Sequence, residues 1–152
     1  MNMTRLADIM TVPAHTVAPE APVSAAMALL RRTRGGALVV VDGERHPVGV
    51  FCQRDAALAA CRPEGARAPS VAEIMTRPPL IASPDMGVAP AYRLMLEGKA
   101  RHLVVADANG RLAGIVGEGD FLHPLGFPYR DRPGAAPPSA PPPADGPAGT
   151  GA

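Results

Sequence analysis

One short pattern occurs twice in this chain at a fixed spacing. The stretches Gly49–Asp55 (GVFCQRD) and Gly114–Asp120 (GIVGEGD) both run glycine, two large apolar residues, three variable positions and aspartate, and they lie 65 residues apart. Shifting the whole chain by the same 65 residues aligns five blocks without a gap, including ADIMT from Ala7 on AEIMT from Ala72. An internal duplication explains one offset held across five blocks, and it predicts two equivalent halves.

Each half is predicted to run β-α-β-β-α after a short helical turn at its head. The first half has a turn at Arg5–Met10, an extended segment at His15–Ala18, a helix over Val23–Arg34 stopped by Gly35 and Gly36, strands at Ala37–Val41 and Val48–Cys52, and a closing helix from near Arg54. The second half has a turn at Ser70–Met75, an extended segment at Leu80–Ala82, a helix stopped by Gly98, strands at His102–Ala106 and Leu112–Val116, and a closing helix from near Gly119.

Composition limits the function classes. The 152 residues are 47% hydrophobic, which is enough for a core, and their net charge of +1 predicts neither nucleic-acid nor membrane binding. No apolar run reaches the roughly 20 residues of a membrane-spanning helix, and the start does not resemble a secretory signal. The two cysteines form no metal-ligand pattern, so we expect free thiols, no metal and a cytoplasmic location. The richness in Ala, Pro and Arg hints at a GC-rich bacterial genome.

The end of the chain has a different composition. Nine of the 19 prolines lie between Pro124 and Pro147, among Gly and Ala and almost no large apolar residues. Such a segment buries too little surface to offset its ordering entropy, so it is predicted to be disordered. Its PPSAPPP stretch is either a polyproline ligand for a partner or part of a solubilising tail. The predicted organisation is repeat 1 at 4–62, a linker at 63–69, repeat 2 at 70–123 and a tail at 124–152.

The repeated unit, with D/E-I-M-T at its head and G-h-h-x-x-x-D at its end, resembles the CBS (cystathionine-β-synthase) domain. Two such repeats form a CBS pair, or Bateman module, and the resemblance covers about residues 4 to 123. It implies a mixed α/β (α+β) fold in which two sheets pack face to face about a pseudo-twofold axis. It also implies two clefts that hold adenine nucleotides or adenosyl ligands, such as AMP or ATP, and a disc-like homodimer.

The resemblance and the chemistry of a nucleotide together indicate the site residues. A carboxylate can accept hydrogen bonds from both ribose hydroxyls, a role that suits Asp55 and Asp120. The short extended segments would receive adenine, and cations before the inner strands would face the phosphates. Where the family usually carries Ser or Thr three residues before the Asp, this chain has Cys52 and Gly117. The expected ligand-binding residues are Thr16, Val17, Arg34, Cys52, Arg54, Asp55, Ile81, Ala82, Arg101, His102, Gly117 and Asp120.

Structural roles compete with several of these assignments. Asp55 and Asp120 could simply stabilise the positive ends of their helices, and the arginines from Arg31 to Arg34 could be a solvated helix end. His102 could be an ordinary strand residue, while Met10 and Met75 are expected to fill the core.

Three functional hypotheses follow from the sequence. The first is a stand-alone regulatory module that binds an adenine nucleotide between the repeats and signals to an effector protein. The second is an assembly or dimerisation module without nucleotide sensing, which the Cys52 and Gly117 departures would suit. The third is an enzyme, and the sequence offers no nucleophile–His–carboxylate set, metal cluster or phosphate-binding glycine loop for it. We therefore expect no catalytic residues and no cofactor.

Overall fold

The computed structural model describes residues 4–33 and 36–125, with the side chains of residues 123–125 left out, and its two halves share one topology. The first half contains α1 (Leu6–Ile9), β1 (Thr16–Val17), α2 (Val23–Arg32), β2 (Ala37–Val41), β3 (Pro47–Cys52) and α3 (Gln53–Ala60). The second contains α4 (Val71–Ile74), β4 (Ile81–Ala82), α5 (Val88–Glu97), β5 (His102–Ala106), β6 (Leu112–Gly117) and a 3-10 helix (Glu118–Leu125). The mixed α+β fold and the predicted element order are confirmed.

Two helix ends differ from the predictions. The helix α2 stops at Arg32 rather than Arg34, because the Thr33 hydroxyl and N–H both turn back to the Leu30 carbonyl, at 2.9 and 3.1 Å. The closing element of the second half is a 3-10 helix that begins at Glu118, whereas α3 is α-helical. Two glycines around Glu118 weaken helix propensity there, which accounts for the difference between the halves.

Each half forms its own three-stranded sheet. The strand orders are β1-β2-β3 and β4-β5-β6, with the first pair parallel and the second pair antiparallel in both. The antiparallel strands meet at tight turns where Asp42 Oδ1 accepts the N–H groups of Glu44 and His46, both at 2.9 Å. Asp107, 65 positions later, does the same for Asn109 and Arg111. Repeated turn chemistry therefore sets the same register in both sheets.

Alternation along the central strands divides the core into three clusters. In β2, Leu38 and Val40 pack under the helices of the first half, while Val39 between them points to the other face. Val39 lies in one cluster with Val104 of β5, and both side chains are fully buried. The two sheets thus pack face to face, because a strand buried on both faces presents successive side chains to different layers.

The head helix of each half packs on the other half. Leu6 and Ile9 of α1 belong to the cluster of the second half, and Val71 of α4 belongs to the cluster of the first. Backbone hydrogen bonds fix the exchange, from Leu6 N to Met86 O at 2.9 Å and from Val71 N to Ala21 O at 2.8 Å. The halves are therefore interlocked by reciprocal contacts, as a twofold-related pair requires.

The predicted boundaries of the repeats and the linker remain predictions. Most of the predicted tail, residues 126–152, lies outside the described residues. Within residues 4–33 and 36–125, no helix combines the length and apolar composition needed to cross a membrane.

Candidate functional site

Asp55 lies buried at the junction of β3 and α3. Its Oδ2 accepts the Cys52 N–H at 2.8 Å and the Cys52 thiol at 3.2 Å, so the carboxylate closes the first turn of α3. Its Oδ1 accepts the Thr76 hydroxyl at 3.0 Å, and Thr76 follows α4 of the other half. The carboxylate therefore starts its own helix and also joins the two repeats.

Asp120 occupies the equivalent junction after β6. It is 7% exposed, and its Oδ2 accepts the Gly117 N–H at 2.8 Å. His102 lies opposite Gly117 in the β5–β6 ladder, and its ring comes within 4 Å of the point where a Gly117 side chain would begin. Asp120 Oδ2 lies 3.9 Å from the same point, so the imidazole and the carboxylate both border the gap left by the missing side chain.

Both carboxylates thus have the helix-starting role that the structural interpretation predicted. Both are also buried rather than facing bulk water, and Asp55 contacts the other repeat through Thr76. A carboxylate has about four acceptor positions, so capping a helix does not use its whole capacity. Their contact with a ribose stays a prediction.

The two recurring motifs meet each other across the seam. A side chain at Gly49 would start 2.5 Å from Met75 Sδ, and one at Gly114 would start 2.8 Å from Met10 Sδ. The chain of the other repeat also bridges each strand, through Thr76 with Val50 and Thr11 with Ile115. The glycine and the I-M-T segment of opposite repeats are therefore complementary surfaces, and the methionines are confirmed as packing residues.

This crossing brings the chain that leads to each extended segment alongside the strand that precedes a carboxylate of the other repeat. The chain that leads to β4 contacts Asp55 at Thr76. The chain that leads to β1 bridges β6 where Thr11 lies opposite Ile115, and Ile115 lies five residues before Asp120. Each candidate cleft therefore combines residues of both repeats. Ala82 is buried, Thr16 and Val17 are half-buried, and Ile81 is 45% exposed.

The predicted cations that the structure describes are less buried than the two carboxylates. Arg54 on the first turn of α3 and Arg101 before β5 are both exposed, with no ion pair among the described side chains. Arg34 lies outside the described residues. His102 is half-buried on β5 opposite Gly117, whose N–H donates to Asp120.

Cys52 has an environment that favours its neutral thiol. Burial raises the pKa of Cys52, and the adjacent Asp55 carboxylate adds to the rise. The protonated thiol is the form that can donate to Asp55 Oδ2. Within residues 4–33 and 36–125, no three His, Cys, Asp or Glu side chains are gathered closely enough to hold a metal ion.

The sequence did not predict the contact of Thr76 with Asp55. Thr76 stands in the I-M-T head motif, which marked the repeat but gave no indication of a partner 21 residues away. The available signal for a role was the threonine that both head motifs carry at the same position, Thr11 and Thr76. The Thr76 hydroxyl supplies Asp55 with a second side-chain donor beside the Cys52 thiol.

Comparison with known proteins decides the family. The CBS domain model matches residues 6–61 and 71–126, which correspond to the two interlocked halves. This chain belongs to the CBS domain family. Its duplicated halves are thus two CBS repeats, and the suspected tandem pair is confirmed.

Two curated relatives illustrate the range of proteins that carry this pair. An uncharacterized 17.7 kDa protein of Acidianus ambivalens is 30% identical over 122 residues, 80% of this chain and 73% of that protein. Inosine-5'-monophosphate dehydrogenase of Mycobacterium tuberculosis is 34% identical over 115 residues. That match covers 72% of this chain and only 21% of the enzyme, so this chain spans about a fifth of the enzyme's length.

Two solved structures show similar CBS pairs with ligands. CBSX2 in complex with AMP has a TM-score of 0.71 and 30% identity, with 80% of this chain and 95% of that chain covered. The CBS domain pair of MJ0100, in complex with 5'-methylthioadenosine and S-adenosyl-L-methionine, has a TM-score of 0.75 and 26% identity. That alignment covers 82% of this chain and 98% of that chain.

Proposed function

We propose that this chain is a regulatory, non-catalytic module that binds an adenine nucleotide or an adenosyl compound between its CBS repeats. The observation that carries the proposal is the buried Asp120 near the His102 ring, at the end of a strand that the other repeat bridges. The similar pairs CBSX2 and MJ0100 are found with AMP and with adenosyl compounds, which supports the same ligand class here.

The second cleft is the better candidate for a charged nucleotide. The gap at Gly117 allows a ligand to approach the β6 backbone closely, and a protonated His102 or the nearby Arg101 would pair with phosphate. The carboxylate of Asp120 would accept the ribose hydroxyls. Binding across the seam would change the relative angle of the repeats if the two arrangements differ in affinity. We further propose that an effector protein, or self-association as a homodimer, reads this change.

A ligand titration tests the proposal directly. The purified protein is titrated with AMP, ATP, NADH and S-adenosylmethionine while Tm and heat of binding are recorded. A ligand at about 100 times its Kd should stabilise the fold by about 2.7 kcal/mol. Asp120→Asn keeps an acceptor for Gly117 but loses the charge, so it should weaken binding about 10-fold or more. Asp85→Asn, whose side chain is 82% exposed, is the matched control.

The first cleft favours the alternative function of a ligand-free assembly module. The Asp55 carboxylate already accepts three protein donors, from Cys52 and Thr76, and so works as a clamp between the repeats. If none of the four ligands changes Tm or releases heat, nucleotide sensing is rejected and the assembly function stands. Sedimentation velocity then measures whether the chain forms the proposed homodimer.

A further inference from the structure

Each head motif places a methionine sulfur against a strand of the other repeat. Met75 Sδ lies 2.5 Å, and Met75 Cγ 3.0 Å, from the point where a side chain at Gly49 would begin. Met10 makes the same contact with Gly114, at 2.8 and 3.0 Å. Both glycines are buried, so each sulfur fills the space that a side chain would otherwise occupy at the seam.

The backbone beside each sulfur already makes hydrogen bonds between the repeats. The Val50 N–H donates to the Thr76 carbonyl at 3.0 Å, and the Thr76 N–H donates to the Val50 carbonyl at 2.9 Å. Thr11 and Ile115 form the equivalent pair of bonds, at 2.8 and 3.3 Å. An additional polar atom on either sulfur would compete for these donors or stay unpaired, and an unpaired buried polar atom destabilises the fold.

The two methionines are placed where a small oxidant can reach them. Both are half-buried, and each follows directly on a four-residue helix, α1 before Met10 and α4 before Met75. A single helical turn has little stability of its own, so such a segment opens more readily than a core element. Met95, by contrast, is 2% exposed within α5.

We propose that Met10 and Met75 are oxidation sites through which hydrogen peroxide weakens the contact between the two repeats. The thioether sulfur attacks one peroxide oxygen, so that an S–O bond forms while the O–O bond breaks. The second oxygen leaves as hydroxide and takes the proton from the new S–OH group to become water. The sulfur is oxidised by two electrons to the sulfoxide, and the peroxide is reduced to water.

The sulfoxide changes what the seam can hold. Oxidation converts an apolar, flexible side chain into a polar one, and the sulfur that carries the new oxygen rests on buried backbone. The head of one repeat would then move off the strand of the other. At Met75 this movement would also separate Thr76 from Asp55, whose hydrogen bond measures 3.0 Å. The proposal does not depend on nucleotide binding, so its test uses the protein without ligand.

Amide hydrogen exchange of the full-length chain after treatment with hydrogen peroxide tests the proposal. Dithiothreitol is added to every sample afterwards, so that reversible oxidation of the cysteines does not contribute. Peptide mass spectrometry should find sulfoxide at Met10 and Met75. The Val50 and Thr76 amides of the bridge should exchange about 10-fold faster in the oxidised protein, while the buried Leu103 amide of β5 should be much less affected. The Tm should fall by about 5 °C.

Two variants show which sulfurs are responsible. The double variant Met10→Leu with Met75→Leu keeps an apolar side chain at both sites, so peroxide should leave its Tm at the value of its own untreated sample. Met27→Leu is the matched control, because Met27 is also half-buried but packs within the first half. Its Tm should fall as in the wild type. Methionine sulfoxide reductase should restore the exchange rates of the oxidised wild type.

Three results would each overturn the proposal. The first is sulfoxide at Met10 and Met75 with unchanged exchange at Val50 and Thr76. The second is oxidation of Met27 while Met10 and Met75 stay reduced. The third is equal protection of the Tm by Met27→Leu and by the double variant. If the double variant does not fold, the exchange rates of the oxidised wild type and their recovery with the reductase decide the question.

Discussion

The hydroxyl of Thr76 donates to Oδ1 of Asp55 at 3.0 Å, across the seam between the two repeats. A hydrogen bond to a buried carboxylate contributes more than one between neutral groups, but Thr76 is partly solvated. Thr76→Val should therefore lower the free energy of unfolding by about 1 kcal/mol. Urea denaturation measures the change.

A double-mutant cycle separates this bond from other effects of the substitution. Thr76→Val should cost little in an Asp55→Asn background, since the charged acceptor is then missing. Thr11→Val is the matched control, because Thr11 contacts Ile115 through its backbone. Equal losses from both threonine variants would contradict a specific role for the Thr76–Asp55 bond.

The glycine of the recurring motif should be intolerant of a side chain. In Gly49→Ala the new Cβ would start 2.5 Å from Met75 Sδ and 3.1 Å from the Thr76 carbonyl oxygen. The methionine can move, but the carbonyl belongs to a backbone bridge and cannot move as easily. We expect a loss of about 1–3 kcal/mol in unfolding free energy. Gly43→Ala, with no atom within 4 Å of the new Cβ, should be close to neutral by the same measurement.

The two cysteines should differ in reactivity. Burial raises the pKa of the Cys52 thiol, so little of the reactive thiolate forms near neutral pH, and the side chain is half-buried. Cys61 is exposed. Iodoacetamide at neutral pH should modify Cys61 first, and labelling of Cys52 should increase only as the pH rises. Peptide mass spectrometry gives both rates, and faster labelling of Cys52 would contradict the environment described.

Glu73 should make the fold more stable at neutral than at acidic pH. Its pKa is lowered from the ordinary value of 4.5, chiefly because the Ser70 N–H donates to its carboxylate at 2.7 Å. A lowered pKa means that the folded state favours the ionised form, so the stabilisation is present above pH 4.5 and lost as the pH falls further. The Tm difference between wild type and Glu73→Gln should shrink in acid. Glu20→Gln, at an exposed position, is the control substitution and is measured over the same pH range.

Local patterns in the sequence predicted most of the secondary structure because they act over short distances. The β-branched runs of β2 and β5, the glycine after α5 and the aspartate turns each depend on neighbours a few residues away. The predictions were wrong where local signals competed, as at Thr33, whose hydroxyl stopped α2 before the two glycines. The same competition produced the 3-10 helix at Glu118.

The duplication alone determined that the protein has two equivalent halves, each with an aspartate between strand and helix. Only the tertiary structure decided that the heads of the halves are exchanged, that Met75 lies over Gly49, and that Asp55 is bound by Thr76. A repeat fixes which residues are equivalent but not which copy they contact. That choice comes from burying both sheets against each other, which brings residues far apart in the chain to one seam.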